Sequence, residues 1–264
     1  MTNHRGGWAL IQATWLSWMQ YRSFFFLLAF SWMIGPLIYL LVWSTAAGGG
    51  TVGGFSRGEF VAYYLILILV NQLTISQTTW TMGELIHNGQ LNRLLLYPMS
   101  PVYNTLASEF AGKAVYMLFV VPVSGGLALL LRPELHLTLA NGLAFLPALA
   151  LAWALSFTWG YWISLLAFWT TRADALLTVE YSLLFLLAGQ VAPVALLPDA
   201  LQVMAKLLPY RYMISFPVEV ITGQLDGAGL LTGFALQIGW LVVALAIYRF
   251  LWRRGVRRYT AIGG

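Results

Sequence analysis

The chain has 264 residues, of which 60% are hydrophobic and only 9% are charged. Soluble domains carry about 25% charged residues, so a chain this poor in charge cannot cover a globular surface and is predicted to be an all-α integral membrane protein. The net charge of +5 does not indicate nucleic-acid binding, because the basic residues cluster beside apolar runs, and the lack of cysteine excludes disulfides and thiol metal sites.

The N-terminal segment from about Trp8 to Arg22 precedes the first apolar run. Four apolar residues recur there at helical spacing: Trp8, Ile11, Trp15 and Trp18. Tryptophan prefers the lipid headgroup layer, so this pattern predicts a helix lying in the membrane interface. The alternative is an early, irregular start of the first membrane span.

About six runs are long and apolar enough to cross a membrane, since a spanning helix needs about 20 mostly apolar residues. They are Phe24–Trp43, Phe60–Trp80, Leu106–Leu131, Leu143–Trp169, Ala175–Val194 and Gly229–Trp252. No internal repeat is visible. We therefore expect one membrane domain over residues 1–264.

The arginines and lysines of the loops predict the orientation of these spans. With the N-terminus in the cytoplasm, ten of the 14 basic residues lie on the inner side, including the four arginines of Trp252–Tyr259. Because inner loops are enriched in basic residues, both termini are predicted to be cytoplasmic, which is consistent with an even number of spans.

A polar and leucine-rich stretch, Met82–Pro101, lies between the second and third runs, on the predicted inner side. Leu91, Leu94 and Leu95 fall on one helical face, and most of the polar residues fall elsewhere. Prolines end the stretch. We therefore expect a short amphipathic helix on the cytoplasmic membrane surface, with a polar side that a soluble partner can bind.

The longest predicted outer segment, Pro193–Ala228, separates the fifth and sixth runs. It is too apolar for a free loop, and four prolines interrupt it. Irregular backbone at membrane depth is tolerated only where it packs on protein or lines a cavity. An external re-entrant or surface-lying helical hairpin is therefore predicted.

Motifs for catalysis or nucleotide binding are missing or incomplete. Gly48–Gly53 matches G-x-G-x-x-G literally, but it follows a membrane helix rather than a strand. Gly112 and Lys113 resemble the end of a P-loop, but Ala107 and Ala114 stand where that motif needs Gly and Ser or Thr. We therefore expect no catalytic, cofactor or metal site in this chain, and no ATP site of its own.

Polar residues inside the apolar runs are candidates for function, because burying them in a membrane costs free energy. The clearest candidates are Asn71, Gln72, Gln77, Glu180 and Gln190. They line either a hydrated substrate pathway or contacts in which hydrogen bonds hold helices together. Glu180 either takes part in transport or pairs with Arg172 or a base on a partner chain.

Two stretches carry a resemblance to a known family. Residues 84–98, ELIHNGQLNRLLLYP, are similar to an acidic residue followed by G-x-L-x-x-L-L-x-x-P between the second and third spans, although the acid-to-glycine spacing is the looser part of the match. Residues 187–211, which begin LAGQVAPVALLP and end LPYR, resemble a fifth span followed by external re-entrant helices. Both patterns resemble the type-2 permeases of ATP-binding-cassette (ABC) exporters, the stand-alone membrane subunits of bacterial export systems.

The resemblance implies an ATP-driven exporter in the bacterial cytoplasmic (inner) membrane that moves an amphipathic small molecule or lipid-like substrate outward. Two permease chains, identical or related, would pair, and the branch that the sequence resembles favours a pair of different chains. Two ABC ATPase subunits, holding ATP and Mg²⁺, would each bind the helix Glu84–Leu96. Glu84, Gly89 and Arg93 would form the contact, with Leu94 and Leu95 of the motif beside them.

Three other readings of the sequence remain open. Without a partner, Glu84 would only cap a surface helix and Arg93 would meet lipid phosphates. The chain could also be a membrane channel or scaffold subunit without energy coupling. An intramembrane lipid-modifying enzyme or protease would need convergent catalytic pairs, and the sequence offers only lone polar residues within its runs.

Overall fold

The structure is a computed structural model that describes residues 4–76, 78–97, 99–170 and 173–259. In chain order the α-helices are α1 His4–Gln20, α2 Arg22–Ala47, α3 Arg57–Thr74, α4 Thr78–His87, α5 Leu91–Leu95, α6 Val102–Leu131, α7 Leu139–Ser164, α8 Ala173–Leu187, α9 Asp199–Leu207, α10 Tyr210–Met213, α11 Ser215–Ile221 and α12 Gly227–Arg258. A two-residue antiparallel hairpin, β1 Thr51–Val52 and β2 Phe55–Ser56, joins α2 to α3, and 3₁₀ turns cover Leu165–Phe168 and Val194–Leu196.

Four helices in the described part of the chain are long and apolar enough to cross a membrane. They are Ser23–Ala47 in α2, Val102–Leu131 in α6, Leu139–Phe168 over α7 and its 3₁₀ turn, and Gly227–Arg258 in α12. A shorter apolar helix, Leu176–Leu187, lies within α8. This architecture agrees with the predicted all-α membrane protein and accounts for four of the six predicted spans.

Helix α3 lies at the centre of the fold, in contact with α2, α6, α7 and α11. Every side chain from Phe60 to Leu65 is buried, including Tyr63 and Tyr64. A helix that is buried on all sides needs apolar residues on all sides, which explains the continuous apolar run there. The hydroxyl of Tyr64 and the indole N–H of Trp43 both donate to the carbonyl oxygen of Val191, at 2.9 and 2.8 Å.

The predicted span Phe60–Trp80 is wrong at its C-terminal end, because α3 ends at Thr74. The hydroxyl of Thr74 donates to the carbonyl oxygen of Val70 at 2.9 Å, and the hydroxyl oxygen of Ser76 accepts from the amide of Thr78 at 3.2 Å. Such side chains compete with the helical backbone for hydrogen bonds. The chain therefore breaks after α3 and restarts as α4.

The predicted span Ala175–Val194 is also too long, because α8 ends at Leu187. The chain then turns through Gly189, whose φ is +76°. This left-handed conformation is available to glycine at little cost, and it ends the helix seven residues before the predicted boundary.

The predicted separate N-terminal helix is present as α1, which packs along α6. The ring of Trp18 stacks on Phe25, with 4.2 Å between ring centroids, and meets Tyr116 edge-on. A Cβ at Gly112 of α6 would lie 2.6 Å from the Trp18 ring, so glycine is what lets α1 approach α6 here. Its position in the membrane interface stays a prediction.

The segment between α8 and α12 forms three short α-helices, α9 to α11, and a 3₁₀ turn, which is more divided than the predicted helical hairpin. Every residue from Tyr212 to Val220 is buried, with α11 against α3 and α7. A Cβ at Gly233 of α12 would lie 2.0 Å from the Phe216 ring of α11. Much of this segment therefore packs on the rest of the protein, which is one of the two alternatives stated for it, and its depth in the membrane stays a prediction.

Candidate functional site

The segment between α3 and α6 contains α4 and α5, which with the turn between them carry five exposed polar residues. Its exposed polar residues are Glu84, His87, Asn88, Gln90 and Arg93, and we call these five residues the polar surface of α4–α5. Among the described residues, the side chains of Glu84 and Arg93 form no hydrogen bond or ion pair within the chain. Their charged groups are therefore free to meet a partner.

The apolar side of α4 and α5 is anchored on the end of α7. Met82, Ile86, Leu91 and Leu94 are buried in one cluster with residues of α7 and the following 3₁₀ turn, Tyr161, Leu165 and Ala167. The hydroxyl of Tyr161 lies 3.8 Å from the sulfur of Met82, within range of a weak hydrogen bond. This contact packs the apolar side of α4 and α5 against a long helix of the bundle.

Gly89 divides the predicted single amphipathic helix over Glu84–Leu96 into two, which corrects that prediction. Its φ is +69°, and nothing lies within 4 Å of an added Cβ. The backbone conformation, not crowding, is therefore what favours glycine in the turn between α4 and α5. Glu84 lies on α4 and Arg93 on α5, so the two charges approach a partner from different helices.

The two leucines predicted for this site have different environments. Leu94 is buried, whereas Leu95 is 38% exposed, so the prediction that Leu91, Leu94 and Leu95 share one apolar face is wrong for Leu95. The helix α5 has only five residues, too few for a wide buried face. Arg93 and Leu94 also line a cleft of about 170 Å³ that extends to Leu10 of α1.

An ion pair of α6 holds the break between α3 and α4. Lys113 Nζ lies 2.7 Å from Glu109 Oε2 and also donates to the carbonyl oxygen of Ile75 at 2.8 Å. Glu109 Oε1 accepts from Ser76 Oγ at 2.8 Å and lies 3.5 Å from Thr78 Oγ1. The two hydroxyl groups also hydrogen bond to each other. We call Glu109, Lys113 and the three residues they bind the junction cluster.

Sequence analysis missed Glu109, although a readable signal was present. Glu109 and Lys113 are four residues apart in an apolar run, a spacing that places opposite charges on one helix face. The sequence interpretation of Lys113 was limited to an incomplete P-loop and to the basic residues of the predicted inner side. Asn71, Gln72, Glu109 and Lys113 now line one cavity of about 20 Å³, large enough for a single water molecule.

The structure brings two of the predicted pathway residues together. Asn71 of α3 and Gln190, after α8, line a groove of about 360 Å³ with Trp32 and Pro36 of α2 and Phe185 of α8. The side-chain oxygen of Asn71 is buried without a hydrogen-bond partner among the described residues. A polar ligand group in this groove could therefore supply the missing donor.

The other predicted pathway residues are not part of this groove. Gln72 donates a long hydrogen bond of 3.4 Å to the carbonyl oxygen of Ala29 and lines the adjoining small cavity. Glu180 is partly buried on α8, and its side chain forms no hydrogen bond or ion pair with another described residue. Gln77 and Arg172 lie outside the described residues, so the Glu180–Arg172 pair stays a prediction.

A second buried ion pair lies in the segment between α8 and α12. Arg211 Nε donates to both oxygens of Glu219, at 3.2 and 3.1 Å, and the hydroxyl of Ser215 donates to Glu219 Oε1 at 2.5 Å. Burial alone would lower the pKa of Arg211, but the Glu219 carboxylate outweighs burial and raises the pKa above its ordinary value. Sequence analysis missed Glu219, because only the tertiary fold brings it to Arg211.

Comparison with known proteins agrees with these features. Residues 30–263 match the family model described as ABC-2 family transporter protein. Searches of curated proteins and of solved structures returned no match. Proteins of this family are membrane transport components, typically without their own ATPase site, that associate with ABC ATPase subunits. Because the match covers most of a chain with several membrane-length helices, this protein belongs to the ABC-2 transporter family as a multi-pass permease component.

Proposed function

We propose that this chain is the permease subunit of an ATP-driven exporter that moves an amphipathic small molecule or lipid-like substrate outward across the bacterial cytoplasmic (inner) membrane. In this proposal α2, α3, α6, α7, α8 and α12 are the six spans of one membrane domain. Both termini and the α4–α5 segment are cytoplasmic. Family membership, the long apolar helices and the distribution of basic residues support this arrangement.

The polar surface of α4–α5 is the observation that carries the proposal. Its charged residues Glu84 and Arg93 are exposed, while the opposite side is anchored on α7. In the proposal an ABC ATPase, which holds ATP and Mg²⁺ in its own site, grips this surface and pushes on it when it closes. The anchored face passes the push to the spans.

A second part of the proposal concerns the assembly and the substrate. Two ATPase subunits would serve two permease chains, and we favour a pair of different but related chains on the basis of the sequence resemblance. The groove lined by Asn71 and Gln190 is our candidate for part of the substrate pathway. It combines an apolar lining with two amide side chains, a composition suited to an amphipathic molecule.

Co-purification tests the contact with the ATPase. The affinity-tagged permease, co-expressed with any ABC ATPase and related permease that its neighbouring genes encode, is expected to retain that ATPase in detergent. The variant Glu84→Gln with Arg93→Gln is expected to retain about tenfold less, because both charges of the contact are lost. Retention of equal amounts by the variant and the wild type would contradict the proposed contact.

A matched control removes two exposed charges elsewhere. Asp199→Asn with Arg132→Gln changes one acid and one arginine in segments that the proposal places outside the cell. This control is expected to retain the ATPase like the wild type. A wild-type permease that binds no ATPase at all would instead support a channel or scaffold without energy coupling.

A further inference from the structure

We propose that Glu109 and Lys113 form a latch through which movement of α4 is passed to α6 and α3. This inference rests on the proposed function, in which the ATPase pushes on α4–α5. The latch is the junction cluster, where α6 contacts both the last turn of α3 and the first residue of α4. We assign positioning roles to both residues, since neither belongs to the polar surface that meets the ATPase.

Each charge of the latch lies against a helix end of opposite polarity. Lys113 binds the carbonyl oxygen of Ile75, the residue that caps the C-terminal end of α3, where the helix dipole is negative. Glu109 lies by Ser76 and Thr78 at the N-terminal end of α4, where the dipole is positive. The ion pair therefore joins two helix ends: Lys113 binds a carbonyl oxygen at the end of α3, and Glu109 binds the hydroxyl groups at the start of α4.

Burial makes the latch hard to open. The side chain of Glu109 is only 4% exposed and that of Lys113 only 13%. Separating them would leave an uncompensated charge in a low-dielectric environment, which is strongly unfavourable. The latch is therefore expected to stay closed while α4 moves, so that the adjoining ends of α3 and α4 move with this part of α6.

The latch differs in kind from the apolar anchor of α4 and α5 on α7. The apolar contacts of Ile86, Leu91 and Leu94 in that anchor are largely non-directional and tolerate sliding. Hydrogen bonds and ion pairs at 2.7 to 2.8 Å weaken steeply when they are misaligned. The latch therefore fixes the position of α4 along α6, and Gly112, between its two charges, is also where Trp18 of α1 packs.

Distance measurements between spin labels test the latch. The chain has no cysteine, so introduced cysteines can be labelled specifically once those of the ATPase and the related permease are replaced. Leu96 after α5, Leu118 on α6 and Val242 on α12 are all exposed. Pulsed electron paramagnetic resonance measures the pairs 96–118 and 118–242 in the complex with ATPase, without nucleotide and after trapping with ATP and vanadate.

In the wild type, the 96–118 distance is expected to stay constant on trapping and the 118–242 distance to change by about 2 Å or more. In Glu109→Gln or Lys113→Gln, the 96–118 distance is expected to change and the 118–242 distance to stay constant, because α4 then moves without α6. If the variants respond like the wild type, or if the wild-type 96–118 distance changes, the latch does not transmit the movement. A wild-type 118–242 distance that does not change would overturn the proposal equally.

A matched control uses the other buried ion pair. Arg211→Gln with Glu219→Gln removes the same two kinds of charge from a pair outside the junction cluster. In this control variant the 96–118 and 118–242 distances are expected to respond to trapping as in the wild type, even if the protein is less stable. If the single latch variants do not fold, Ser76→Ala with Thr78→Val keeps both charges and removes the hydroxyl groups that bind Glu109.

Hydrogen exchange separates failure of the latch from failure of the proposed function. In the purified permease without ATPase, amides of a peptide covering residues 72–82 are expected to exchange about tenfold faster in Glu109→Gln than in the wild type. Equal exchange would show that the latch does not hold the junction. If no ATPase co-purifies but exchange is faster in the variant, the latch exists and the proposed function is wrong.

Discussion

The hydroxyl group of Tyr63 donates a hydrogen bond to the carbonyl oxygen of Gly189, with 2.9 Å between the oxygen atoms. The contact joins the central helix α3 to the turn after α8, across 126 positions of sequence. A Cβ at Gly189 would lie 2.4 Å from the Tyr63 hydroxyl oxygen and 2.7 Å from Ser215 Oγ. Both the space and the positive φ of this turn therefore require glycine.

Gly189→Ala is expected to lower the free energy of unfolding by about 2 to 4 kcal/mol, because the left-handed backbone and the crowding both add cost. Thermal unfolding of the protein in detergent measures the change. Gly35→Ala is the control, since nothing lies within 4 Å of its added Cβ and its helical backbone favours alanine. Equal melting temperatures for the two variants would show that the turn at Gly189 accommodates alanine without strain.

Gly89→Ala is expected to weaken ATPase binding about five- to thirtyfold, because a left-handed alanine costs about 1 to 2 kcal/mol and the turn between α4 and α5 would change shape. Gly83→Ala, on α4 with open space around its Cβ, should bind like the wild type. The measurement is the affinity of the purified permease for the ATPase subunit. Equal affinities for the two variants would argue against a role for the turn.

Gln237 ties three helices together, because its side-chain N–H groups donate to the carbonyl oxygens of Ala148 and Tyr212 at 3.0 and 2.9 Å. Gln237→Leu is expected to destabilise the protein by about 1 to 3 kcal/mol, since two buried acceptors lose their donor. Gln202 also donates to two carbonyl oxygens but is only half-buried. Gln202→Leu should lower the melting temperature less, and the opposite order would contradict this account.

The substitution Asn71→Leu tests whether the groove carries substrate, without an expected loss of stability. The Asn71 side-chain oxygen is buried without a partner among the described residues, so removing it is expected to leave the melting temperature unchanged or raised. Export of amphipathic dyes that the wild type transports is expected to fall if the groove carries substrate. Unchanged dye export in a stable variant would remove the groove from the proposed pathway.

The sequence predicted the membrane class and the separate N-terminal helix, because apolar length and tryptophan spacing are local signals. It also located α4–α5 between the second and third runs. It placed the end of the second run wrongly because apolar periodicity alone does not weigh local bonds made by serine and threonine hydroxyls. The polar residues around Ser76 were treated as pathway or helix contacts, whereas they mark a break in the backbone.

The candidate site residues also differ in how far nearby sequence determines their positions. Glu84 and Arg93 are exposed on short helices, as their local sequence predicts, whereas Gly89 forms the turn that divides the predicted helix. Leu95 was misplaced because the turn at Gly89 leaves α5 too short for a shared apolar face. Glu219 could not be predicted as a partner of Arg211, because their contact requires α10 and α11 to pack together.

The junction cluster also constrains how this chain can change over evolution. Loss of Glu109 alone leaves a buried lysine without its carboxylate. Loss of both charges removes the carboxylate that Ser76 and Thr78 bind and leaves the carbonyl oxygen of Ile75 without the Lys113 donor. Selection is expected to remove single substitutions at these positions and to retain sets of substitutions that compensate one another. In an alignment of related permeases, positions 76, 78, 109 and 113 should therefore covary as one group, although up to 37 positions of sequence separate them.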